Sequence, residues 1–139
     1  MGFMLRSDTR ARVLMVSFRR VVTDHCFLAA FAAVKDFVAR HGPYHGITDF
    51  SQVDSVAITN EMLNNLGGMA PAFPAAMRRI VVAPTPAAYV CARIVQGLRS
   101  GSTAPIEIVA TTDEACLMLG TRDSHLVEVQ ASQASSSPA

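Results

Sequence analysis

Residues 80–83 form a short apolar run rich in β-branched side chains, a pattern that is typical of a β-strand. The run ends at Pro84, and the two residues after it suit the start of a helix. Thr85 can cap a helix and Pro86 fits a first helical turn, so we predict a helix at residues 87–99. This passage from strand to helix indicates the first half of a β-α-β unit.

Similar patterns recur along the rest of the chain. Short apolar runs predict further strands at residues 3–5, 13–18, 46–50 and 106–110. Residues 125–129 also alternate like a strand. Apolar residues at helical spacing, preceded by a capping residue and followed by glycine, predict helices between Thr23 or Asp24 and Gly42, between Thr59 and Gly67, and between Thr112 and Gly120. Residues 69–74 and 100–105 are predicted to be loops.

The order of these elements predicts the fold class. The polar residues 6–10 between the first two strands have the length of a hairpin connection, so these strands are predicted to pair antiparallel. Later strands alternate with helices, which favours parallel pairing. The order is then β-β-α-β-α-β-α-β-α, an α/β sandwich in which helices cover a small, mixed, mostly parallel sheet.

The length of 139 residues suits one domain, which we place at residues 1–122. Residues 123–139 are assigned to a tail. At least residues 131–139 lack any core-forming side chain, so this part of the tail is predicted to be disordered.

The composition argues against several classes of protein, namely nucleic-acid-binding, membrane-spanning and secreted proteins. The net charge is +1, and no window is dense in Lys and Arg, so no nucleic-acid partner is expected. The longest apolar stretches are too short for a membrane span, and the first residues lack the pattern of a signal peptide. Three distant cysteines, Cys26, Cys91 and Cys116, lie in apolar helical patterns that are typical of reduced thiols. We therefore expect a soluble protein of the cytoplasm.

Residues for metal or nucleophilic chemistry are sparse. His41 and His45 have the spacing of two metal ligands on a helix, but the Gly-Pro pair between them would break the helix. We therefore predict no metal site. No glycine-rich phosphate loop opens a helix, and no turn from strand to helix carries Ser or Cys at its tip. The sequence thus favours a protein that is not an enzyme and has no cofactor.

One place suits binding, which we call the carboxyl edge, where parallel strands end and the following helices begin. Free N–H groups at helix starts favour an anion there. The loops at residues 51–60 and 84–86 are both expected at this edge, and the candidate residues for a ligand or partner are Asp49, Ser51, Thr59, Asn60 and Thr85. An enzyme would have to use four of these, without Ser51. Helix capping is the simpler role for Thr85.

Four segments resemble, in order, the SpoIIAA-like branch of the STAS domain family: residues 49–53, 79–84, 88–93 and 112–120. The resemblance spans residues 3–120 and implies the STAS fold, in which helices cover a small mixed sheet. The better-understood relatives are anti-sigma factor antagonists. They exchange protein partners according to the phosphorylation of a Ser in an Asp-Ser-Ser-Gly motif. The resemblance therefore implies a role in protein interaction.

That motif falls on residues 57–60 of this chain, which read Ala-Ile-Thr-Asn. The Asp, the first Ser and the Gly are all replaced. Thr59 keeps a hydroxyl at the position of the phosphorylated Ser, so the resemblance makes it a candidate phosphorylation site. A phosphate at a helix start is electrostatically favoured, and plain helix capping is the alternative role.

We therefore expect a non-catalytic, STAS-like protein-interaction or regulatory module of a bacterial cytosol, which has a protein partner and forms a homodimer. The alternative is a small apolar ligand or lipid binding protein, because the fold type is similar to the lipid-carrying SEC14-like domains. The side chains that would enclose such a ligand are Phe27, Phe31, Phe73, Tyr89 and Ile94. The same side chains are explained more simply as core.

Overall fold

The structure, a computed structural model of the chain, describes residues 2–62, 77–98 and 106–129. Its strands are β1 (Phe3–Asp8), β2 (Val13–Thr23), β3 (His45–Ala57), β4 (Arg79–Val82), β5 (Ile106–Val109) and β6 (Val127–Glu128). Its longer helices are α1 (Asp24–His41), α2 (Pro86–Leu98) and α3 (Thr112–Met118), followed by a 3-10 helix at Asp123–His125. Four predictions lie outside the described residues: the helix end near Gly67, the loops at 69–74 and 100–105, and the disordered tail from residue 131.

The six strands form one mixed sheet in the order β5-β4-β3-β2-β1-β6. β2, β3, β4 and β5 pair in parallel, whereas β1 pairs antiparallel with β2 on one side and with β6 on the other. Five of these six strands therefore point the same way, and β1 runs against them. This confirms the prediction of an α/β fold whose mostly parallel sheet opens with an antiparallel pair.

The helices cover both faces of the sheet because the chain first moves one way along the order of strands and then goes back the other way. α1 links β2 to β3 and α2 links β4 to β5, which are two steps in the same direction along the strand order. α3 instead leads from β5 back to β6 at the far edge. Because crossovers between parallel strands are right-handed, opposite directions of travel place the helices on opposite faces.

Two hydrophobic cores result. The larger core lies between the sheet and helices α1 and α2, and includes Leu14, Val16, Phe18, Val22, Cys26, Ala30, Val34, Phe37, Phe50, Val53, Cys91 and Ala92. The smaller core lies under α3 and contains Val13, Met15, Ile47, Ile80, Val82, Ala115, Cys116 and Leu126. Alternate residues of β2 face opposite sides of the sheet, so this one strand contributes to both cores.

β2 and β3 are longer than predicted. They continue to Thr23 and Ala57, past the predicted ends at residues 18 and 50. The added residues are mostly polar, but they pair with each other in parallel, and Val22 and Val53 between them are buried in the larger core. Strand pairing satisfies their backbone groups although most of their side chains face solvent.

The start of α3 differs from the prediction by one residue. Thr111, and not Thr112, caps the helix: its backbone is extended (φ −133°, ψ 155°) and its Oγ1 accepts a hydrogen bond from the N–H of Glu114 (3.1 Å). Two adjacent threonines offer the same capping hydroxyl. The path of the chain after β5 decides between them.

Residues 123–129, which we had assigned to the tail, continue the domain. Leu126 is buried in the smaller core, β6 pairs with β1, and the N–H of Val129 donates to the carbonyl of Leu5 (2.9 Å). The domain boundary predicted at residue 122 is therefore corrected: the domain extends at least to Val129. Across the described ranges, no helix has both the length and the apolar character needed to cross a membrane.

Candidate functional site

β4 ends beside the middle of β3, where the prediction had placed the end of β3 as well. Asp49 of β3 is level with Val82, the last residue of β4, in the parallel register. Ser51 follows two residues later within β3, and Pro84 follows two residues after Val82, beyond the end of β4. The carboxyl edge therefore brings together Asp49, Ser51 and the turn that leads into α2.

Asp49 is a buried carboxylate, with 5% of its surface exposed. Its Oδ2 accepts a hydrogen bond from the hydroxyl of Ser17 on β2 (3.1 Å), and its Oδ1 accepts one from the N–H of Ser51 (2.9 Å). Both carboxylate oxygens thus bind donors of the domain itself. These contacts hold the middle of β3 against β2.

Thr85 caps α2, as predicted. Its Oγ1 accepts a hydrogen bond from the N–H of Ala88 (3.1 Å), and its carbonyl accepts one from the N–H of Tyr89 (2.8 Å). Pro86 occupies the first helical position. No acidic residue lies in this first turn, so the positive end of the α2 dipole faces solvent without a compensating charge.

Thr59 and Asn60 do not join the carboxyl edge. β3 continues from Ser51 to Ala57 before the chain reaches them, and strand geometry puts these two ends roughly 20 Å apart. The prediction of one binding edge that includes residues 51–60 is therefore wrong. Residues 51–57 continue β3 past the end of its neighbour β4, and their mostly polar sequence does not indicate a strand.

A second helix start lies at the carboxyl edge instead, that of α3. The N–H of Ala83 donates to the carbonyl of Val109 (2.8 Å), so the ends of β4 and β5 meet there. Thr85 and Thr111 then direct α2 and α3 to opposite faces of the sheet. Such a divergence between neighbouring strands is where open α/β sheets form crevices. Sequence reasoning missed Thr111 because the reversal at β5 leaves no local signal.

Thr59 has a structural contact that the sequence did not predict, with Asp24 at the start of α1. The Thr59 hydroxyl donates to Oδ2 of Asp24 (2.7 Å), and its N–H donates to Oδ1 (2.9 Å). The same hydroxyl accepts the N–H of Met62 (3.1 Å), so it also caps the helix that begins at Asn60. A phosphate on Thr59 would break the hydroxyl's bond to Asp24 and would lie beside that carboxylate.

We expect Thr59→Val and Asp24→Ala each to lower the free energy of unfolding by about 1 kcal/mol, because each removes the charge-assisted hydrogen bond between the two side chains and Thr59→Val also removes a helix cap. In urea unfolding, the double variant should lose less than the sum of the two single losses. Thr59→Ser keeps the hydroxyl and is the matched control. Fully additive losses would contradict a direct interaction between the two side chains.

The three cysteines are free and buried, as predicted. Burial raises the pKa of Cys91 and of Cys116 to about 11, and it raises the pKa of Cys26 as well. The thiols are therefore protonated at neutral pH, and a protonated thiol is neither a nucleophile nor a metal ligand.

His41 and His45 have separate roles. His41 ends α1 and its ring contacts that of Phe37 (4.4 Å between centroids). Nδ1 of His45 accepts the N–H of Arg78 (3.0 Å), and burial together with the Arg78 charge lowers the pKa of His45. In the parts of the chain that the structure describes, no group of three or more His, Cys, Asp or Glu side chains could hold a metal ion.

The outer surface of α2, next to the carboxyl edge, carries large exposed apolar side chains. Tyr89 is 48% exposed and Val90 is 51% exposed. Pro86 and Arg93 are exposed one turn before and after them, and a guanidinium N–H of Arg93 donates to Oε1 of Gln96 (3.2 Å). We call this surface, formed by Pro86, Tyr89, Val90 and Arg93, the α2 face.

A groove of about 950 Å³ lies at the opposite end of the sheet from the carboxyl edge, between the β1–β2 turn, the end of α1 and β6. Its lining includes Ser7, Thr9, Arg10, His41 and Glu128. None of the described side chains proposed to enclose an apolar ligand lines this groove. Phe27 packs on Phe18 in the larger core (5.8 Å between centroids), and Phe73 lies outside the described residues.

Comparison with known proteins finds no matching family model, no similar curated protein and no similar solved structure. The resemblance to the STAS family therefore stays a prediction from the sequence.

Proposed function

We propose that this protein is a non-catalytic, STAS-like protein-interaction module of the bacterial cytosol that acts as a homodimer. The single observation that carries the proposal is the α2 face. Tyr89 and Val90 are adjacent, large and about half exposed on a helix that begins at the carboxyl edge. Clustered exposed apolar side chains with a polar surround are typical of contact sites between proteins.

The α2 face has the chemistry of a self-complementary surface. A two-fold dimer places the same surface patch of each copy against the other. The ring of Tyr89 offers a face on which the guanidinium of Arg93 from a second copy can stack, while Val90 fills the apolar centre. An aromatic, an aliphatic and an Arg side chain within two helical turns match the composition of interface centres.

The candidate polar residues support a non-catalytic role. Asp49 and Thr59 use their side-chain oxygens in hydrogen bonds within the domain, and Thr85 uses its hydroxyl as a helix cap. Thr59 is also far from the other two. A catalytic site needs converging polar groups that can reach a substrate, and these three groups neither converge nor remain available.

We expect the protein to sediment as a dimer at micromolar concentration. Tyr89→Glu and Val90→Glu should each raise the dimer dissociation constant at least about tenfold, because each places a charge in an apolar contact. Both positions are exposed, so folding should be unaffected. Analytical ultracentrifugation over a range of concentrations measures the constant.

Leu117→Glu is the matched control for this experiment. Leu117 is 80% exposed on α3, on the opposite face of the sheet, so its replacement adds the same charge away from the α2 face. It should leave the dimer unchanged. A protein that is monomeric at every concentration, or a dimer that Leu117→Glu weakens as much as Tyr89→Glu does, would contradict the proposal.

A further inference from the structure

Two residues other than glycine have a positive φ angle in the described part of the chain, Arg12 (56°) and Arg20 (61°). Side chains with a Cβ atom are disfavoured in this left-handed region, and such strain persists where other contacts or a function require it. The surroundings of the two arginines are different.

The side chain of Arg12 accounts for its conformation. Its guanidinium donates to the carbonyls of Pro43 (3.0 Å) and His41 (2.9 Å) and lies over the ring of Tyr44 (4.5 Å to the centroid). These contacts join the β1–β2 turn to the end of α1. They offset the cost of the left-handed backbone.

Arg20 has no comparable contact. Among the described residues, neither Arg20 nor its neighbour Arg19 has a side-chain hydrogen bond, ion pair or ring contact, and both side chains are exposed. The pairing of β2 with β3 shifts register on both sides of this pair, between Ser17 and Arg19 and between Arg20 and Val21. The strain at Arg20 is therefore not offset within the described structure.

The irregular backbone changes where the Arg20 side chain points. In a regular strand Arg20 would share a face with Phe18 and Val22, and both of those are buried in the larger core. The left-handed conformation and the adjoining bulge instead leave Arg20 exposed next to Arg19. β-bulges commonly re-aim a side chain in this way. The result is a pair of exposed guanidinium groups.

The two arginines lie on a two-stranded extension of the sheet, residues 19–23 of β2 and 52–57 of β3, which we call the ribbon. β1 pairs with β2 as far as Phe18, with one more hydrogen bond from the N–H of Arg19 to the carbonyl of Gly2 (2.9 Å), and β4 pairs with β3 only as far as Asp49. Within the described residues, α3 packs on the sheet below the ribbon and does not cover it. Val21, which is 43% exposed, adds an apolar side chain to this surface.

We propose that the ribbon is a docking surface for an extended acidic segment of a partner protein. The part of the ribbon around Arg19 and Arg20 has two guanidinium groups against the carboxylate of Asp54, and the nearby Asp24, at the far end of the ribbon, is bound by Thr59. This local excess of positive charge suits carboxylates, which guanidinium binds in bidentate geometry. Val21, which follows Arg20 in β2, supplies an apolar contact beside the two guanidinium groups. This inference uses a surface separate from the α2 face and does not depend on the proposed dimer.

The test measures binding and stability together. The probe is a fluorescein-labelled peptide of alternating Glu and Val, compared with one of alternating Lys and Val, by fluorescence anisotropy at low salt. The protein should bind the Glu peptide and not the Lys peptide. Arg20→Gly should weaken binding about fivefold yet raise Tm by about 3 °C, because glycine adopts this backbone without strain.

Arg19→Gln should weaken binding similarly without changing Tm, since the backbone at residue 19 is not left-handed. Arg122→Gln removes an exposed charge outside the ribbon and the α2 face and should leave peptide binding unchanged. Tyr89→Glu, which is expected to weaken the dimer, should also leave peptide binding unchanged. The experiment can therefore contradict the proposed dimer without contradicting the proposed docking surface, and the reverse.

Three results would overturn the docking proposal: no binding of the Glu peptide, undiminished binding by Arg20→Gly, or tighter binding of a single-stranded oligonucleotide or of anionic vesicles. If the Arg19→Gln and Arg20→Gly proteins bind normally but aggregate, the arginines serve to protect an open ribbon from edge pairing.

Discussion

Replacing Phe18 by Ala is expected to lower the free energy of unfolding by about 4 kcal/mol. Phe18 is 2% exposed, at the point where the six-stranded sheet narrows to two strands. Its ring contacts three others, those of Phe3, Phe27 and Phe50, at centroid distances of 6.4, 5.8 and 5.3 Å. The four rings come from β2, β1, α1 and β3. The alanine variant therefore leaves a cavity that these elements cannot easily close.

Urea unfolding followed by circular dichroism measures the loss. Phe18→Leu keeps much of the volume and should lose about 1.5 kcal/mol, so it reports on the site even if the alanine variant does not fold. Leu28→Ala, at a position on α1 that is 42% exposed, is the control and should lose less than about 1 kcal/mol. Equal losses for Phe18→Ala and Leu28→Ala would show that Phe18 does not organise the larger core.

Asp8→Ala is expected to lower the free energy of unfolding by about 2–3 kcal/mol. Asp8 is 8% exposed, and its carboxylate joins distant parts of the chain. Oδ1 accepts the N–H groups of Arg10 (3.0 Å) and Ala11 (3.3 Å) in the β1–β2 turn. Oδ2 accepts the hydroxyl of buried Thr121 (2.5 Å), which follows α3. Removing the carboxylate leaves these donors without their acceptor.

The same carboxylate should make stability depend on pH. The hydrogen bond from Thr121 is the main cause that lowers the pKa of Asp8 below its ordinary value of 3.8. A carboxyl group with a lower pKa in the folded state stabilises the protein above pH 3.8. This contribution is lost as the pH falls from 3.8 through the folded-state pKa. Unfolding experiments between about pH 6 and pH 2 measure the effect.

Asp8→Asn removes the titrating group, and its stability should fall less over this acidic range than that of the unmodified protein. Thr121→Val removes only the hydrogen bond to Oδ2 and should lose about 1 kcal/mol at neutral pH. If Asp8→Asn lost as much stability on acidification as the unmodified protein does, another carboxyl group would be responsible.

Local signals predicted the elements well. The passage from β4 into α2 was predicted to within one residue, and Thr85 was correctly predicted as the cap, because Pro84, Thr85 and Pro86 act on backbone groups within three or four residues of themselves. For the same reason the end of α1 at Gly42 was correct, and the structure selects Thr23 from the two predicted caps, Thr23 and Asp24. Caps and turns depend on residues that are close together in the sequence, so a short sequence pattern is enough to predict them.

The candidate site was predicted only in part. Asp49, Ser51 and Thr85 do lie near the carboxyl edge, since the parallel register places Asp49 level with the last residue of β4. Thr59 was misplaced because β3 continues along β2, and this pairing is visible only when both strands are present. Its partner Asp24 is 35 residues away along the chain, so no local pattern could indicate the contact.

The sequence by itself determined the α/β class, the order of most elements, the buried thiols and the residues that cap α1 and α2. The tertiary structure alone decided that α3 crosses to the other face, that β6 joins β1, that β2 and β3 extend as a ribbon and that Arg20 is exposed. The physical reason is the range of the interactions. Caps and periodicity satisfy backbone groups within a turn or two, whereas sheet order and strand length are set by the pairing of segments far apart in the chain.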